Sequence, residues 1–265
     1  MPRSSVLLVG LLAACSGGAP RAPRPPTPSR PSFSVMTYNL NYGLGGDRET
    51  VAAVAEASAD LVLLQETTPD WERALRARLG GRYPHVAFRH ASGAGGLGIL
   101  SRYALEDLAY LEPPPGGWFP AWRFRASTPL GRVQILNVHL RPQIGDSGPT
   151  LTGVVSGMVT TPPIRRHQIE RYLAALEPDA LTLIAGDFNE SETGSAFASL
   201  GRHGFRSVLP EYGSENTWRY ATSFGQISRR FDHIAYGPDF VPLSARVIKK
   251  GRSDHSAVVA VFERR

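Results

Sequence analysis

Asn39, Glu66, His139, Asp187, Asn189, Asp232, Asp254 and His255 each lie at or beside the end of a short apolar run. A buried carboxylate is costly unless it is paired or bound to a cation. Acid, amide and imidazole groups converging from several strand ends therefore point to metal-assisted hydrolysis. The most telling stretch is Leu181–Asn189, Leu-Thr-Leu-Ile-Ala-Gly-Asp-Phe-Asn. Its apolar start reads as a strand buried on both faces. In extended chain, Asp187 and Asn189 point to the same side, with Phe188 turned away. A carboxylate beside a carboxamide can orient a water or a metal and hold a phosphoryl oxygen. Gly-Asp and Asn also suit an ordinary turn; the recurrence of such ends along the chain favours the chemical reading.

The elements that must carry these residues alternate between strands and helices. Phe33–Leu40 reads as a strand ending at Asn39, and Asp60–Glu66 as a second that ends in a carboxylate. Between them Asp47 caps a helix with Val51, Val54 and Ala55 on one face. A helix is expected over Asp70–Leu79, stopped by Gly80-Gly81. Strands follow at Tyr83–Arg89, Leu105–Leu111, Ala121–Ala126 and Arg132–Leu140, the last with Val133, Ile135, Asn137 and His139 on one face. Arg141–Pro163 reads as an irregular loop with an uncharged centre, Thr150–Val159. Ile164–Leu176 is an amphipathic helix; His167 on it reads as a packed or surface histidine, because nothing nearby completes a site. Thr193–Leu200 is a short helix, Asn216–Tyr220 a loop near the site, and Arg230–Tyr236, Phe240–Lys249 and Ser256–Glu263 are strands. Strand, helix, strand is the pattern of an α/β fold.

The chain has 265 residues, 42% hydrophobic and 20% charged, enough for a sizeable core. Its net charge is +6, carried by arginine, since the only lysines are Lys249 and Lys250. A basic surface favours anionic partners, although arginine-rich codon usage gives the same composition. The single cysteine, Cys15, excludes an intrachain disulfide. Residues 1–15 read as a signal peptide, with Arg3 before the apolar Val6–Leu12 and small Ala13-Ala14 before Cys15. Leu12-Ala13-Ala14-Cys15 resembles a bacterial lipobox, which implies cleavage before Cys15, lipid on its sulfur, and a place in the cell envelope, at the outer membrane by the Ser16 that follows. Plain secretion, or a short apolar N-terminus on a cytosolic protein, is the alternative. Residues 16–32 are rich in Pro and Arg and are expected to form an extended tether. The folded domain is expected to cover residues 33–265.

Seven motifs in order carry a family resemblance: Thr-Tyr-Asn (37–39), Leu-Gln-Glu (64–66), Gly-Ile-Leu-Ser-Arg (98–102), Asn-Val-His-Leu (137–140), Gly-Asp-Phe-Asn (186–189), Phe-Asp-His-Ile (231–234) and Ser-Asp-His (253–255). Together they resemble the endonuclease/exonuclease/phosphatase family, which includes pancreatic-type deoxyribonucleases, apurinic endonucleases and sphingomyelinases. The resemblance implies a four-layer α/β sandwich: two mainly antiparallel sheets packed face to face, helices outside, the site at one edge. It implies Glu66 as the principal metal-ligating acid, with Asn39 supporting metal or phosphate and Asp254 completing the metal shell or holding His255. Mg²⁺ suits such oxygen ligands, with Mn²⁺ or Ca²⁺ as alternatives. His255 matches the essential histidine and Asp232 its carboxylate partner. Asp187 and Asn189 would position the attacking water, and His139 would donate to a leaving or phosphate oxygen. Either Asp187 or His255 would take the water's proton.

The expected activity is hydrolysis of a phosphodiester by a monomeric, exported, metal-dependent enzyme, with DNA as first substrate. Lipid phosphodiesters, small phosphoesters and a noncatalytic binding role on the same scaffold are the alternatives, because fold does not fix function.

Overall fold

The computed structural model describes residues 19–144, 151–222 and 225–265. Residues 1–15, the stretch read as a signal peptide, lie outside the described residues. Two six-stranded sheets form the centre. In chain order the strands are β1 Ser32–Asn39, β2 Leu61–Gln65, β3 His85–Arg89, β4 Leu97–Ser101, β5 Leu105–Leu111, β6 Ala121–Thr128, β7 Gly131–His139, β8 Thr182–Asp187, β9 Arg206–Ser207, β10 Trp218–Thr222, β11 Gly225–Arg229, β12 Asp232–Tyr236, β13 Phe240–Ile248 and β14 Ala257–Arg264. The helices are α1 Arg48–Ala57, α2 Pro69–Leu79, α3 Leu151–Thr160, α4 Pro162–Leu173 and α5 Ser195–Arg202. One sheet runs β13-β14-β1-β2-β4-β3 and the other β5-β6-β7-β8-β12-β9, while β10 and β11 form a separate hairpin. Each large sheet has one parallel pair, β1 with β2 and β7 with β8; the other neighbours are antiparallel.

The parallel pairs require crossover connections, which the helices supply. Alternation along the strands then sorts the side chains into layers. Phe33, Val35, Leu61, Leu63, Val133, Ile135, Leu183, Ala185 and Ile234 meet between the sheets. Met36, Tyr38, Val62 and Leu64 turn outward and pack under α1 and α2 through Val51, Val54, Trp71 and Leu75. Leu136, Val138 and Ile184 face the opposite way, onto Ile169 and Tyr172 of α4 and Phe197 and Leu200 of α5. The result is the expected four-layer sandwich of helix, sheet, sheet, helix.

Three expected segments come out differently. The uncharged run expected as loop holds helix α3. The run has no charge to mark a solvent face and its Val, Thr and Gly residues are weak helix formers, so the helical spacing of Thr152, Ser156 and Thr160 is a faint signal. Asn216–Tyr220 leads into strand β10, which pairs with an unanticipated β11. The third is the Pro-rich 16–32 segment, which lies along the domain from Arg21 onward. Arg21 donates its backbone N–H to Glu211 O and Arg24 to Leu243 O, and Thr27 donates to the Glu263 carboxylate. Its polar backbone finds acceptors on the sandwich rather than in water alone.

Candidate active site

The inter-sheet face changes character along its length. On β1 the inward side chains run Phe33, Val35, Thr37, Asn39; on β7 they run Val133, Ile135, Asn137, His139. On β8 they run Leu183, Ala185, Asp187, and on β2 Leu61, Leu63, Gln65. The apolar core thus gives way to a polar layer and then to the acidic and imidazole groups. In the polar layer Gln65 Nε2 donates to Asn137 Oδ1 at 2.7 Å and to Thr37 Oγ1 at 3.2 Å. Satisfied in this way, buried amides can support a charged layer above them.

Strand register brings the charged groups together. His139 is the neighbour of Asp187 across β7 and β8, and Asp187 is the neighbour of Asp232 across β8 and β12. His255 Nδ1 lies 2.8 Å from Asp232 Oδ2, and its Nε2 lies 3.6 Å from Asp187 Oδ2. Asn39 Nδ2 donates to Asp187 Oδ2 at 3.0 Å and to Glu66 Oε1 at 2.9 Å, so one amide ties the two carboxylates. Tyr42 N–H donates to Glu66 Oε2 at 3.1 Å. Asn189 N–H donates to Asp187 Oδ1 at 2.8 Å, while its own amide donates to Leu140 O at 3.0 Å. The amide of Asn189 is thereby anchored to the backbone of the β7 end. Asn41, Glu66 and Asn189 all have φ between 51° and 63°. For glutamate this left-handed conformation is strained, and strain of this kind collects at functional sites.

Asp254 lies close enough to Glu66 and His255 for its charge to act on both. Its Oδ1 accepts from Asn41 Nδ2 at 2.9 Å and its Oδ2 from Trp218 Nε1 at 3.0 Å. It joins the 39–42 turn to the β10–β11 hairpin. His139 is stacked on Phe119, with ring centroids 4.1 Å apart, and its Nδ1 lies 3.2 Å from Ala94 O. That carbonyl requires the N–H on Nδ1, so the neutral ring turns an Nε2 lone pair toward Asp187 Oδ2, 3.5 Å away.

Burial governs the electrostatics. It pushes the Asp187 carboxyl up to about 7 and raises Glu66 as well, although Asn39 and the nearby His255 pull both back. Burial disfavours a charge on His255, yet the Asp232 and Asp187 carboxylates prevail and hold its imidazole up at about 10. His139 is lowered to about 3 by burial and then by the His255 charge. At neutral pH the site therefore pairs a protonated His255 with a neutral His139.

Asp187, Asp232 and His255 each offer a ligand atom within 4.8 Å of the others. Asp232 and His255 are already bonded to each other, which leaves Glu66 and Asp187, linked by Asn39, as the better carboxylates for a cation. Asp232 Oδ1 is buried without a partner among the described residues. An excess of buried carboxylate oxygen over cationic groups is what a hard divalent ion relieves, so the donor set fits one.

Gln65, Asn41, Phe119 and Thr217 were not anticipated. Thr217 Oγ1 accepts the N–H groups of Phe231 and Asp232 and so fixes the start of β12. Their signal was weak: Thr217 fell in a stretch expected near the site, and Gln65 within a motif noted for its neighbour. His167 stands exposed on α4, away from these contacts.

The family model described as Endonuclease/Exonuclease/phosphatase family matches residues 36–255. A truncated Caenorhabditis elegans TDP2 structure is 20% identical, with a TM-score of 0.66 over 88% of this chain and 98% of its own. The human Nocturnin catalytic domain with bound sulfate anion is 17% identical, with a TM-score of 0.62 over 89% and 94%. An endonuclease/exonuclease/phosphatase from Beutenbergia cavernae is 17% identical, with a TM-score of 0.64 over 89% and 72%. At such identities these structures establish the fold. No curated protein matches the sequence.

Proposed function

The chain belongs to the endonuclease/exonuclease/phosphatase family, and on that premise we propose that it is an exported, divalent-metal-dependent phosphodiesterase acting on DNA. The observation that carries this reading is the single amide of Asn39 bonded to both Glu66 and Asp187, with His255 facing Asp187. A core-building amide would need no such pair of acids. Glu66 and Asp187 would hold the metal, and Mg²⁺ bound there would supply charge neutralisation at the phosphate and a more acidic water.

The chain's own groups divide the remaining work. Asp187 is fixed at Oδ1 by the Asn189 N–H and at Oδ2 by the Asn39 amide, which leaves the second lone pair of Oδ2 to orient the attacking water. With His255 already protonated, the proton of that water passes to the Asp187 carboxylate. Asp232 holds the His255 ring in place and keeps its charge near the developing phosphate oxygens. His139, neutral and stacked on Phe119, fits an acceptor's role at Nε2 better than the donor's role expected from the family. Asp254 acts through its ties to Asn41 and Trp218, holding the turn that presents Glu66.

Nicking of supercoiled plasmid tests the reading. Wild type should nick with Mg²⁺ and stop with a chelator, and His255→Ala should be silent. A folded protein that leaves both supercoiled plasmid and single-stranded DNA intact would overturn DNA as substrate and direct the search to lipid or small phosphoesters. Envelope anchoring through Cys15 is part of the same proposal, supported by Leu12-Ala13-Ala14-Cys15. Radiolabelled palmitate should enter wild type in a bacterial host and not Cys15→Ser.

A further inference from the structure

The large hydrophobic side chains that stand exposed among the described residues include three aromatics: Tyr42, Trp118 and Tyr220. All three border the acidic cluster. Tyr42 gives its backbone N–H to Glu66. Trp118 is followed by Phe119, which stacks on His139. Tyr220 stacks nearly parallel on Trp218, with 5.9 Å between centroids and 7° between planes, and Trp218 donates to Asp254. Scattered surface aromatics would need no explanation; three gathered around one site do.

Two of these rings are stiffened from behind. Phe231, Trp218 and Tyr220 form one column, the first pair 5.0 Å apart, and the column ends in a Tyr220 that is 56% exposed. Trp118, 43% exposed, has the Arg141 guanidinium over its ring at 3.5 Å. That guanidinium is itself held by the carbonyls of Gly116 and Ile144. Each ring is thus braced on one face. A braced ring is a platform for a second planar group, and it differs from the projecting apolar tips that enter a lipid surface.

Charge points the same way. Tyr220 and Ile227 pair across the hairpin, as do Trp218 and Arg229, so one face carries two rings, an aliphatic group and an exposed cation. The chain as a whole carries +6. Aromatic platforms interleaved with arginines are the equipment for single-stranded nucleic acid, whose bases stack while its phosphates meet cations.

We infer that the site takes single-stranded nucleic acid, with one base stacked on Trp118 and another on Tyr220, on opposite sides of the scissile phosphate. This rests on the phosphodiesterase reading and adds the state of the substrate: unpaired bases on both flanks.

Binding of a fluorescent thymidine 12-mer, an abasic strand of the same length and phosphate count, and a duplex of that length tests it, in buffer with a chelator. Wild type should prefer the thymidine strand to both others. Trp118→Ala and Tyr220→Ala should each weaken that strand about tenfold and leave the abasic strand unchanged. Tyr220→Phe and Trp118→Tyr, which keep a ring, should restore binding and so separate stacking from misfolding. Equal binding of the thymidine and abasic strands, tighter binding of duplex, or binding only to phosphatidylcholine vesicles would each overturn the inference. Mg²⁺-dependent cleavage of the abasic strand reports the phosphodiesterase reading separately: cleavage without base preference would sink the stacking inference and leave the activity standing.

Discussion

At the scale of single residues, the site depends on hydrogen-bond donors that hold carboxylates apart. Asn39 is the clearest, because its one amide nitrogen serves both Glu66 and Asp187. Asn39→Ala should remove both bonds and lower activity or metal affinity about 10–100-fold, as loss of a ligand-orienting partner does. Asn39→Asp should be worse, since it sets a third carboxylate between two. Rates measured across a Mg²⁺ titration would check this; a variant with wild-type kinetics would show that Glu66 and Asp187 are placed by something else. His233 offers a test outside the chemistry. It is buried between Phe188 and Phe197, with Nδ1 on Ser207 Oγ at 2.9 Å and Nε2 on Glu190 O at 3.0 Å. Burial lowers its pKa to about 3, with the Arg230 charge acting in the same direction. The unfolded chain takes up this proton below about pH 6.5 while the folded chain refuses it. Its contribution to stability is therefore complete above that pH and drains away as pH falls toward 3, at up to about 1.4 kcal/mol per unit. Urea unfolding at pH 7 and pH 5 should show a smaller loss in His233→Gln than in wild type.

At the scale of elements, the strands present the site by alternation and close approach. Gly186 precedes Asp187 with φ of 150°, and a Cβ placed there would lie 1.9 Å from Val138 O on the parallel neighbour. Gly186→Ala should force β8 away from β7, costing about 1–3 kcal/mol, and should swing Asp187 out of line. Denaturant midpoints and turnover should fall together; loss of neither would mean that the β7–β8 pair yields easily. The strand ends were legible in the sequence because each couples an apolar run to an abrupt polar residue. Asp187, His139 and Asn39 are placed by period two alone. The donors that orient them were not legible. Trp218 meets Asp254 across 36 residues and Gln65 meets Asn137 across 72, contacts set by sheet packing rather than by local pattern. Arg165 gives no local signal either, since the helical pattern of Ile164–Leu176 accounts for its position. In the fold it is buried against Glu190 at 2.8 Å and donates to Arg141 O, bracing the 141–144 segment beside the site. Helix α3 escaped for a different reason: its polar stripe, Thr152, Ser156 and Thr160, is uncharged and built of weak helix formers, so the period is faint.

At the scale of the whole molecule, the sandwich has two ends with different tasks. Ser32 pairs with Glu263 at one end of β1 and β14, while Asn39 and His255 lie toward the other. Seven strand steps, each about 3.3 Å, separate Ser32 from Asn39, so the N-terminal segment joins the fold about 23 Å from the chemistry. There it is held by the Glu263 carboxylate, 2% exposed, which accepts from Thr27 N at 2.6 Å and from Thr27 Oγ1 at 3.1 Å. The division also makes the two ends energetically separable, since sites this far apart without shared partners act independently. Removing residues up to Pro31 should therefore lower stability by about 1–3 kcal/mol, through the lost hydrogen bonds to Glu263, Glu211 and Leu243. The value of kcat on an oligonucleotide, measured well below the lowered Tm, should stay at the wild-type level. A truncated protein that is equally stable would mean that the segment is a passive tether after all. One that is fully folded yet slow would mean that the far end of β1 transmits its position to Asn39.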